Sequence, residues 1–244
     1  MSGLRTQYGA QIEELAEAAR RLGTLGFVAS HGGNLSYRVS EDHILITPTK
    51  VVKRKMRPDD IVVVNGEGQL VDALNGRRPT GETPMHVQIF RLRPDLNALV
   101  HAHPPILTGF SMVDTDLLQR PLLPEPVLEI GPVILIPYAE PISEALARQF
   151  DAHVHRSNAW LMQNHGITLG SSEGVERALE LLEMTEAMAM SVHVASTLGP
   201  VTAIPKDEVR NMETTLATRN MPRPGDPRRV RDLVHLFYPS EPGE

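Results

Sequence analysis

The chain has 244 residues, 41% of them hydrophobic, which is enough for one sizeable domain with a buried core. Its 30 acidic residues exceed its 24 lysines and arginines, and the resulting net charge of −6 argues against a dedicated nucleic-acid binder. The chain has no cysteine, which excludes disulfides, cysteine nucleophiles and thiolate zinc sites, so any metal must bind to imidazole and carboxylate groups.

The first half of the chain begins with an amphipathic helix, which a group of short strands follows. Apolar residues at three- and four-residue spacing predict the helix over 8–22. Strands are predicted at 34–38, 43–47, 61–64 and 69–71. A second helix is expected over 83–91, because Pro84 suits the first turn of a helix.

Three further strands and one long helix are predicted in the second half. The strands lie at 98–102, 133–136 and 159–162, and a short return strand through Leu169 follows them. A helical pattern spans 175–198 and stops at Gly199-Pro200. Beyond Pro200 the chain is polar and proline-rich, and we expect 223–229 to form an extended arm.

These elements predict one α/β domain over residues 1–200, with 201–244 as a tail that packs on the domain or on a neighbouring subunit. Charged residues interrupt segment 1–22, which is not typical of a signal peptide. No stretch approaches the ~18 apolar residues that a membrane span needs. We therefore expect a cytoplasmic protein with neither a membrane nor a nucleic acid as its partner.

The sharpest chemical signal is the pair His101 and His103 at the end of a predicted buried strand. Residues i and i+2 of a strand point to the same face, so the two imidazoles could bind one metal ion. Two unrelated surface histidines would give the same spacing. The pair His153 and His155 has that spacing in a polar stretch, and we expect it at the surface.

A third histidine, His165, follows another apolar strand at a turn. Three imidazoles and an open position are the arrangement of a catalytic zinc site. Glu82, at the start of the second helix, is the candidate carboxylate, although an acid there could simply complement the helix dipole. His86 lies one turn further on and either orients Glu82 or is an ordinary surface or core histidine.

Glycine and hydroxyl clusters form a second constellation, at 30–36, 47–50 and 80–81. Each alone is more often a turn, but together they could bind a phosphate or a carboxylate. Five basic residues lie within or just after the second cluster: Lys50, Lys53, Arg54, Lys55 and Arg57. They form either a solvated charged face or a surface that attracts an anionic substrate.

These motifs, in this order and spacing, resemble the class II aldolase/adducin family, whose members include sugar-phosphate aldolases and 4-epimerases. The match extends from the first helix to about Leu198. It is carried by GGNLS at 32–36, TPTK at 47–50, TGETPMH at 80–86, HAHP at 101–104 and QNHG at 163–166.

The resemblance implies a three-layer α/β/α fold around a mostly antiparallel sheet, and a homotetramer with active sites between subunits. It implies a zinc ion, or another divalent metal such as Mn²⁺ or Co²⁺, on His101, His103 and His165. It assigns the role of catalytic acid/base to Glu82, which can also bind the metal. The substrate phosphate would be bound by Gly33, Asn34, Thr49 and Thr80, with Lys50 and Gly81 in the same pocket.

The chain departs from the family pattern in the anion pocket. Lys50 stands where the family aldolases have glycine, and Thr80-Gly81 stands where they have two serines. These departures predict either a different position for the anion or a carboxylate in place of the phosphate. The aldolase tyrosine from a neighbouring subunit has no clear counterpart: Glu125 aligns near it, and Tyr238 lies outside the match.

The expected function is a metal-dependent aldolase that cleaves or forms a carbon–carbon bond in a small, phosphorylated ketose through a zinc-bound enediolate. Three alternatives stay open. The same site could serve a sugar-phosphate 4-epimerase or decarboxylase, or an aldolase with a carboxylate donor such as pyruvate. The chain could also be a non-catalytic adducin-like module, although that branch should lose the metal ligands that are present here.

Overall fold

The computed structural model describes residues 3–239 and contains an eight-stranded sheet with helices on both faces. The strands are β1 Asn34–Arg38, β2 Ile44–Ile46, β3 Val62–Val64, β4 Leu70–Asp72, β5 Ala98–Ala102, β6 Val133–Ile136, β7 Ala159–Met162 and β8 Gly166–Ser171. The helices are α1 Gly3–Gln7, α2 Gly9–Thr24, α3 Thr83–Leu92, α4 Pro105–Phe110, α5 Pro124–Glu129, α6 Glu144–Gln149, α7 Val175–Leu198, α8 Lys206–Arg219 and α9 Leu233–Phe237. None of the helices within residues 3–239 is long and apolar enough to cross a bilayer.

The sheet is mixed, with strand order β4-β3-β2-β1-β5-β8-β7-β6. All neighbouring pairs are antiparallel except β6 and β7, which are parallel. A parallel pair needs a crossover connection, and here the chain between β6 and β7 contains α6. The prediction of a mostly antiparallel sheet is confirmed.

Alternation along the strands divides the core into two layers. In β5, Ala98 and Val100 belong to the apolar cluster that includes α2 and α7, whereas Leu99 belongs to the cluster that includes α3 and α6. Because successive side chains of a strand point to opposite faces, each strand contributes to both layers. The three-layer α/β/α architecture predicted from the sequence is confirmed.

Several predicted elements have the bounds that the structure shows, namely β1, β5, β6, β7 and α7. The first helix does not stop at Gly23 but runs through it to Thr24. Gly23 is required for a close approach, since a Cβ there would lie 2.7 Å from the backbone nitrogen of Arg54. The glycine therefore serves packing rather than helix termination.

The C-terminal region contains a 14-residue helix, α8, that the sequence pattern did not predict. Only Val209 and Leu216 of this helix are buried, so its apolar stripe is too thin to give a clear helical period. These two residues pack with apolar residues of α5 and α9 in a third, smaller cluster. The segment 223–229 has no helix or strand, as expected of an arm. The division at residue 200 stays a prediction.

The C-terminal segment is attached to the domain through Asp226, whose side chain is fully buried. Its carboxylate lies 2.7 Å from Nδ1 of His155, and its backbone N–H donates to the His155 carbonyl at 2.9 Å. Burial acts to raise the pKa of Asp226, but hydrogen bonds from Arg228 and His155 outweigh it and hold that pKa well below its usual range. His153 and His155, expected at the surface, are both half-buried, and His155 differs from the expectation because it binds the buried Asp226 and anchors this segment.

Replacing Asp226 with Asn should destabilise the protein by about 3 kcal/mol, because a neutral amide loses the interactions with Arg228, His155 and Arg93 that favour the buried carboxylate. A carboxyl with a depressed folded-state pKa stabilises fully above its unfolded pKa, so the loss should be complete at pH 7. Urea unfolding measures it. Asp207→Asn, at a side chain that is 85% exposed, is the control and should leave the midpoint unchanged. Equal midpoints for both variants would contradict the attachment described here.

Candidate metal centre and active site

Three histidines from two parts of the chain meet at one end of the sheet. His101 lies in β5 on the face that α3 covers, and His103 follows the end of the same strand. His165 lies in the turn between β7 and β8. The Nε2 atoms of His101 and His103 are 3.0 Å apart, and one nitrogen from each of the three rings lies within 4.8 Å of the others. The structure thus brings together the three predicted imidazoles.

Gly166 allows His165 to reach the other two histidines. A Cβ at Gly166 would overlap the carbonyl oxygen of Ala102 and the imidazole of His103. Only glycine therefore lets the start of β8 pass this closely beside the end of β5. The turn residue Asn164 adopts a left-handed conformation with φ of 55°, which asparagine tolerates better than most residues.

Glu82 precedes the first residue of α3 and points its carboxylate at the histidines. Oε2 lies 3.3 Å from Nε2 of His101, and Oε1 lies 3.4 Å from Nε2 of His165. The Asn34 side chain donates to Oε2 at 2.6 Å, whereas Oε1 has no hydrogen-bond partner among residues 3–239. One carboxylate oxygen is therefore anchored and the other is free for a ligand.

A buried chain of hydrogen bonds leads from Glu82 to β1. Because a carboxylate only accepts, the amide nitrogen of Asn34 faces Glu82 and its Oδ1 faces His86. His86 therefore donates from Nε2 and accepts at Nδ1 from the Ser36 hydroxyl, 2.7 Å away. His86 is therefore buried in the core, and it orients Glu82 indirectly, through Asn34.

The histidines are held in the neutral form. Burial, reinforced by His103 and His165, places the pKa of His101 well below its usual value. Burial also lowers the pKa of His103 to about 4, with a contribution from His165, and lowers the pKa of His165. Neutral imidazoles are the form that binds metal ions.

The cluster fits a divalent cation. His101 donates from Nδ1 to the Ile167 carbonyl at 3.0 Å, so its Nε2 presents a lone pair to the Glu82 carboxylate. Such a pair repels unless a proton or a cation lies between the two groups, and burial disfavours the proton. In a tetrahedral zinc site, ligand atoms lie roughly 3.3 Å apart. The His101–His103, His101–Glu82 and His165–Glu82 separations here are 3.0, 3.3 and 3.4 Å. His101, His103, His165 and Glu82 could therefore hold the metal.

The three glycine and hydroxyl patches lie side by side. Thr47 donates its backbone N–H to the Leu35 carbonyl at 3.0 Å, which joins the second patch to the first. Thr80 donates its N–H to the Thr47 carbonyl at 3.2 Å, which joins the third. Gly33, with a φ of 64°, and Asn34 lie in the middle of the first patch, and Asn34 pairs with His101 in the sheet. Thr49 and Lys50 are exposed, and Gly81 packs under Ile142.

One charged residue was misplaced by the sequence pattern. Lys53 is only 1% exposed, whereas Arg54 and Lys55 beside it are exposed. The run of basic residues is therefore not a uniform charged face. The signal that could have separated Lys53 from its neighbours is its three-residue spacing from the apolar Met56, which is also buried.

Neither candidate for the missing tyrosine joins the histidine cluster. Glu125 is exposed, and the hydroxyl of Tyr238 donates to the Ile204 carbonyl.

Fold and site together define an α/β/α protein with a cluster of three histidines and one carboxylate. The sequence profile of the class II aldolase and adducin N-terminal domain matches residues 13–193. The chain belongs to the class II aldolase and adducin family.

Its relatives include enzymes with two different reactions. A 3-oxo-tetronate 4-phosphate decarboxylase from Haemophilus influenzae is 28% identical over 180 residues, which are 72% of this chain and 84% of that protein. An L-fuculose phosphate aldolase from Methanococcus maripaludis is 32% identical over 174 residues, 71% of this chain and 90% of that protein. The crystal structure of YgbL from Klebsiella pneumoniae is similar to this chain with a TM-score of 0.75 at 26% identity. The match covers 83% of this chain and 97% of the YgbL chain.

The metal-free protein should lose stability between pH 6.5 and pH 4, in part because of His86. Burial lowers the pKa of His86 to about 4, so in this window the unfolded chain binds a proton that the folded protein does not. The effect should reach about 2 to 3 kcal/mol by pH 4.5. Urea unfolding at pH 7 and pH 4.5 should show a smaller difference for His86→Gln. His193→Gln, at an exposed position, should keep the wild-type difference, and equal differences in all three proteins would contradict the prediction.

Proposed function

We propose that the protein is a metal-dependent aldolase that acts on a small, phosphorylated ketose. The observation that carries this proposal is the convergence of three neutral imidazoles, with ligand nitrogens within 4.8 Å of one another, on the Glu82 carboxylate, which lies 3.3 Å from His101 and 3.4 Å from His165. The similarity to an L-fuculose phosphate aldolase supports the substrate class.

The ligands in this proposal are His101, His103 and His165, with Glu82 as a fourth ligand when substrate is absent. We propose zinc, and Mn²⁺ or Co²⁺ are alternatives that imidazole and carboxylate groups also bind. A bound divalent ion supplies a Lewis acid that polarises the substrate carbonyl and stabilises the negative charge that develops when the carbon–carbon bond breaks.

Glu82 is the proposed acid/base. In the cleavage direction a base removes the hydroxyl proton beside the scissile bond, and the bonding electrons pass to the ketone fragment as an enediolate. Glu82 takes up that proton, directly or through water, and then gives it to the enediolate carbon, so the substrate hydroxyl is the source of the transferred proton. Oε1 is the oxygen for this transfer, because Asn34 already occupies Oε2. Asn34 and His86 keep the carboxylate aimed at the site during the transfer.

The substrate anion is proposed to bind where the three patches meet. Gly33 and Asn34 come from the first patch, Thr49 and Lys50 from the second, and Thr80 and Gly81 from the third. Thr80 lies directly beside the proposed acid/base, since its hydroxyl accepts a hydrogen bond from the Glu82 backbone N–H at 3.3 Å.

A decarboxylase is the second candidate, and one observation favours it. The Haemophilus influenzae relative, of which this chain covers 84%, is named a 3-oxo-tetronate 4-phosphate decarboxylase. Loss of carbon dioxide from a 3-oxo acid with a hydroxyl on C2 also leaves an enediolate, so the same ligands and the same acid would serve. A 4-epimerase, which would rejoin the two fragments with inverted stereochemistry, uses the same site as well.

We further propose a homotetramer, as the family resemblance implies. The end of α7 supports an interface, because Met190, Val194 and Leu198 are four residues apart and all exposed. This spacing places the three side chains on one face of the helix. An apolar stripe of this kind is typical of a surface that another subunit covers.

Glu82→Gln should lower turnover by about 10²- to 10⁴-fold while the protein keeps its metal, because an amide cannot exchange the proton. His101→Ala and His165→Ala should instead lose the metal, as measured by elemental analysis of protein purified without chelator. Glu67→Gln, at an exposed turn, is the matched control and should retain both metal and turnover. Near-normal turnover of Glu82→Gln would remove Glu82 from the acid/base role.

Incubation with a panel of phosphorylated ketoses and 3-oxo sugar-acid phosphates should identify the reaction. An aldolase releases an aldehyde and a three-carbon ketone, a decarboxylase releases carbon dioxide, and an epimerase returns an isomer of the same mass. We expect aldehyde from a ketose phosphate. Release of carbon dioxide alone would replace the first proposal with the second. If metal-loaded protein gave no product, the remaining hypothesis would be a non-catalytic, adducin-like module.

A further inference from the structure

Lys53 is a buried lysine beside the site, and within residues 3–239 its ammonium forms no ion pair with a carboxylate. It begins a short 3₁₀ turn, Lys53–Lys55, and only 1% of its surface is exposed. Lysine is almost never fully buried in proteins unless its charge is paired. The burial of Lys53 therefore needs an explanation.

Helix α2 and the loop before β1 enclose Lys53. A Cβ at Gly23 of α2 would lie 3.1 Å from the Lys53 Cβ, so the helix passes directly over the lysine stem. The ammonium donates to the carbonyl of His31 at 3.2 Å and to the carbonyl of Val51 at 3.4 Å. An ammonium has three N–H groups, and the third has no acceptor within residues 3–239.

The loop that receives the ammonium also contacts a candidate metal ligand. His31 is followed by Gly32, where a Cβ would lie 3.3 Å from Nδ1 of His103. The charges on the two sides of the loop interact. The Glu82 carboxylate acts to raise the pKa of Lys53, and the Lys53 charge contributes to the lowered pKa of His103. Lys53 is thus electrically part of the site although it lies behind the loop.

No carboxylate lies within 4 Å of the Lys53 ammonium in the part of the chain that the structure describes. A buried cation without a close counter-ion is unfavourable, and burial accordingly lowers the pKa of Lys53 to about 8. Most of the lysine is still charged at pH 7. A group that is kept charged against its desolvation is typical of a residue retained for function rather than for stability.

We propose that Lys53 provides the positive charge that binds the anionic group of the substrate. The inference rests on the proposed function for the identity of that substrate. It moves the charge of the anion pocket from Lys50, which is exposed and screened by water, to Lys53, which acts in a low-dielectric interior. Gly33 and Asn34 continue the loop whose His31 carbonyl accepts a hydrogen bond from the ammonium at 3.2 Å, so the proposed anion patch and the lysine share this loop. The recognised chemistry is a carboxylate or a phosphate group.

Anion binding tests this role directly. Isothermal titration of the full chain with inorganic phosphate and, separately, with glycolate distinguishes a phosphate from a carboxylate. Lys53→Met keeps the length of the side chain and removes its charge. We expect it to bind the preferred anion about 10- to 30-fold more weakly than wild type. Lys55→Met, which removes an exposed charge from the same turn, should bind as wild type does, and Lys50→Met should have the smaller effect of a screened charge.

Two further readouts separate this role from a structural one. Lys53→Met should have an unfolding midpoint in urea equal to or above that of wild type, because it removes a buried unpaired charge. With a substrate that the enzyme converts, Lys53→Met should raise KM more than it lowers kcat. Lys53→Arg should recover part of the loss in kcat/KM. Anion affinity within twofold of wild type would overturn the proposal. A Lys53→Met protein that is less stable or does not fold would also overturn it, since the ammonium would then be a structural donor.

The binding measurement is made on metal-free and metal-loaded protein and needs no turnover. Lys53-dependent anion binding by a protein without lyase activity would refute the proposed function and leave this inference standing. Lyase activity in a protein whose anion affinity does not depend on Lys53 would refute this inference and leave the proposed function standing. The two failures are therefore distinguishable.

Discussion

The register of β5 against its two neighbours is the constraint on which the site depends. In that register Asn34 of β1 and Thr168 of β8 lie directly opposite His101, so one row across three strands carries the residues that hold the site. A slip of one residue would turn His101 away from α3 and into the layer that α2 covers. The apolar residues on both faces of β5 oppose such a slip, because it would exchange the two cores. The packing of the sheet therefore determines on which face of β5 His101 lies.

Most polar groups near this row are paired, and the exceptions are informative. Ser36, His86 and Asn34 form a satisfied chain in the buried layer, which is the condition under which a polar network rigidifies a core instead of destabilising it. The buried atoms left without a partner in residues 3–239 include Oε1 of Glu82 and Nδ1 of His165. Unsatisfied buried groups are rare in folded proteins. Their presence at the cluster, beside a rigid support, is what a site prepared for a ligand requires.

The sequence predicted the elements whose signals are local and strong. The strand 98–102, the long helix 175–198 and the convergence of three histidines with Glu82 all follow from periodicity or from ordered motifs. The sequence did not predict α8, because two buried residues give no period, nor the burial of Lys53, which long-range packing by Gly23 decides. His155 was missed for the same reason, since its partner Asp226 lies 71 residues away. Local patterns specify elements, whereas the environment of a charge depends on contacts that are distant in sequence.

Aldol cleavage and decarboxylation, the two reactions proposed for this cluster, both leave negative charge on the carbon beside a carbonyl group. Which bond breaks depends on which one is aligned beside the cluster, and the anchored end of the substrate sets that alignment. A charge held by an exposed lysine on a mobile side chain aligns poorly, since water screens it and the side chain has many rotamers. Lys53, by contrast, is enclosed between α2 and the loop that carries Gly33, so water does not screen its charge and few rotamers are open to its side chain. In this chain the choice between reactions would then be decided by the buried charge behind the loop rather than by the histidines.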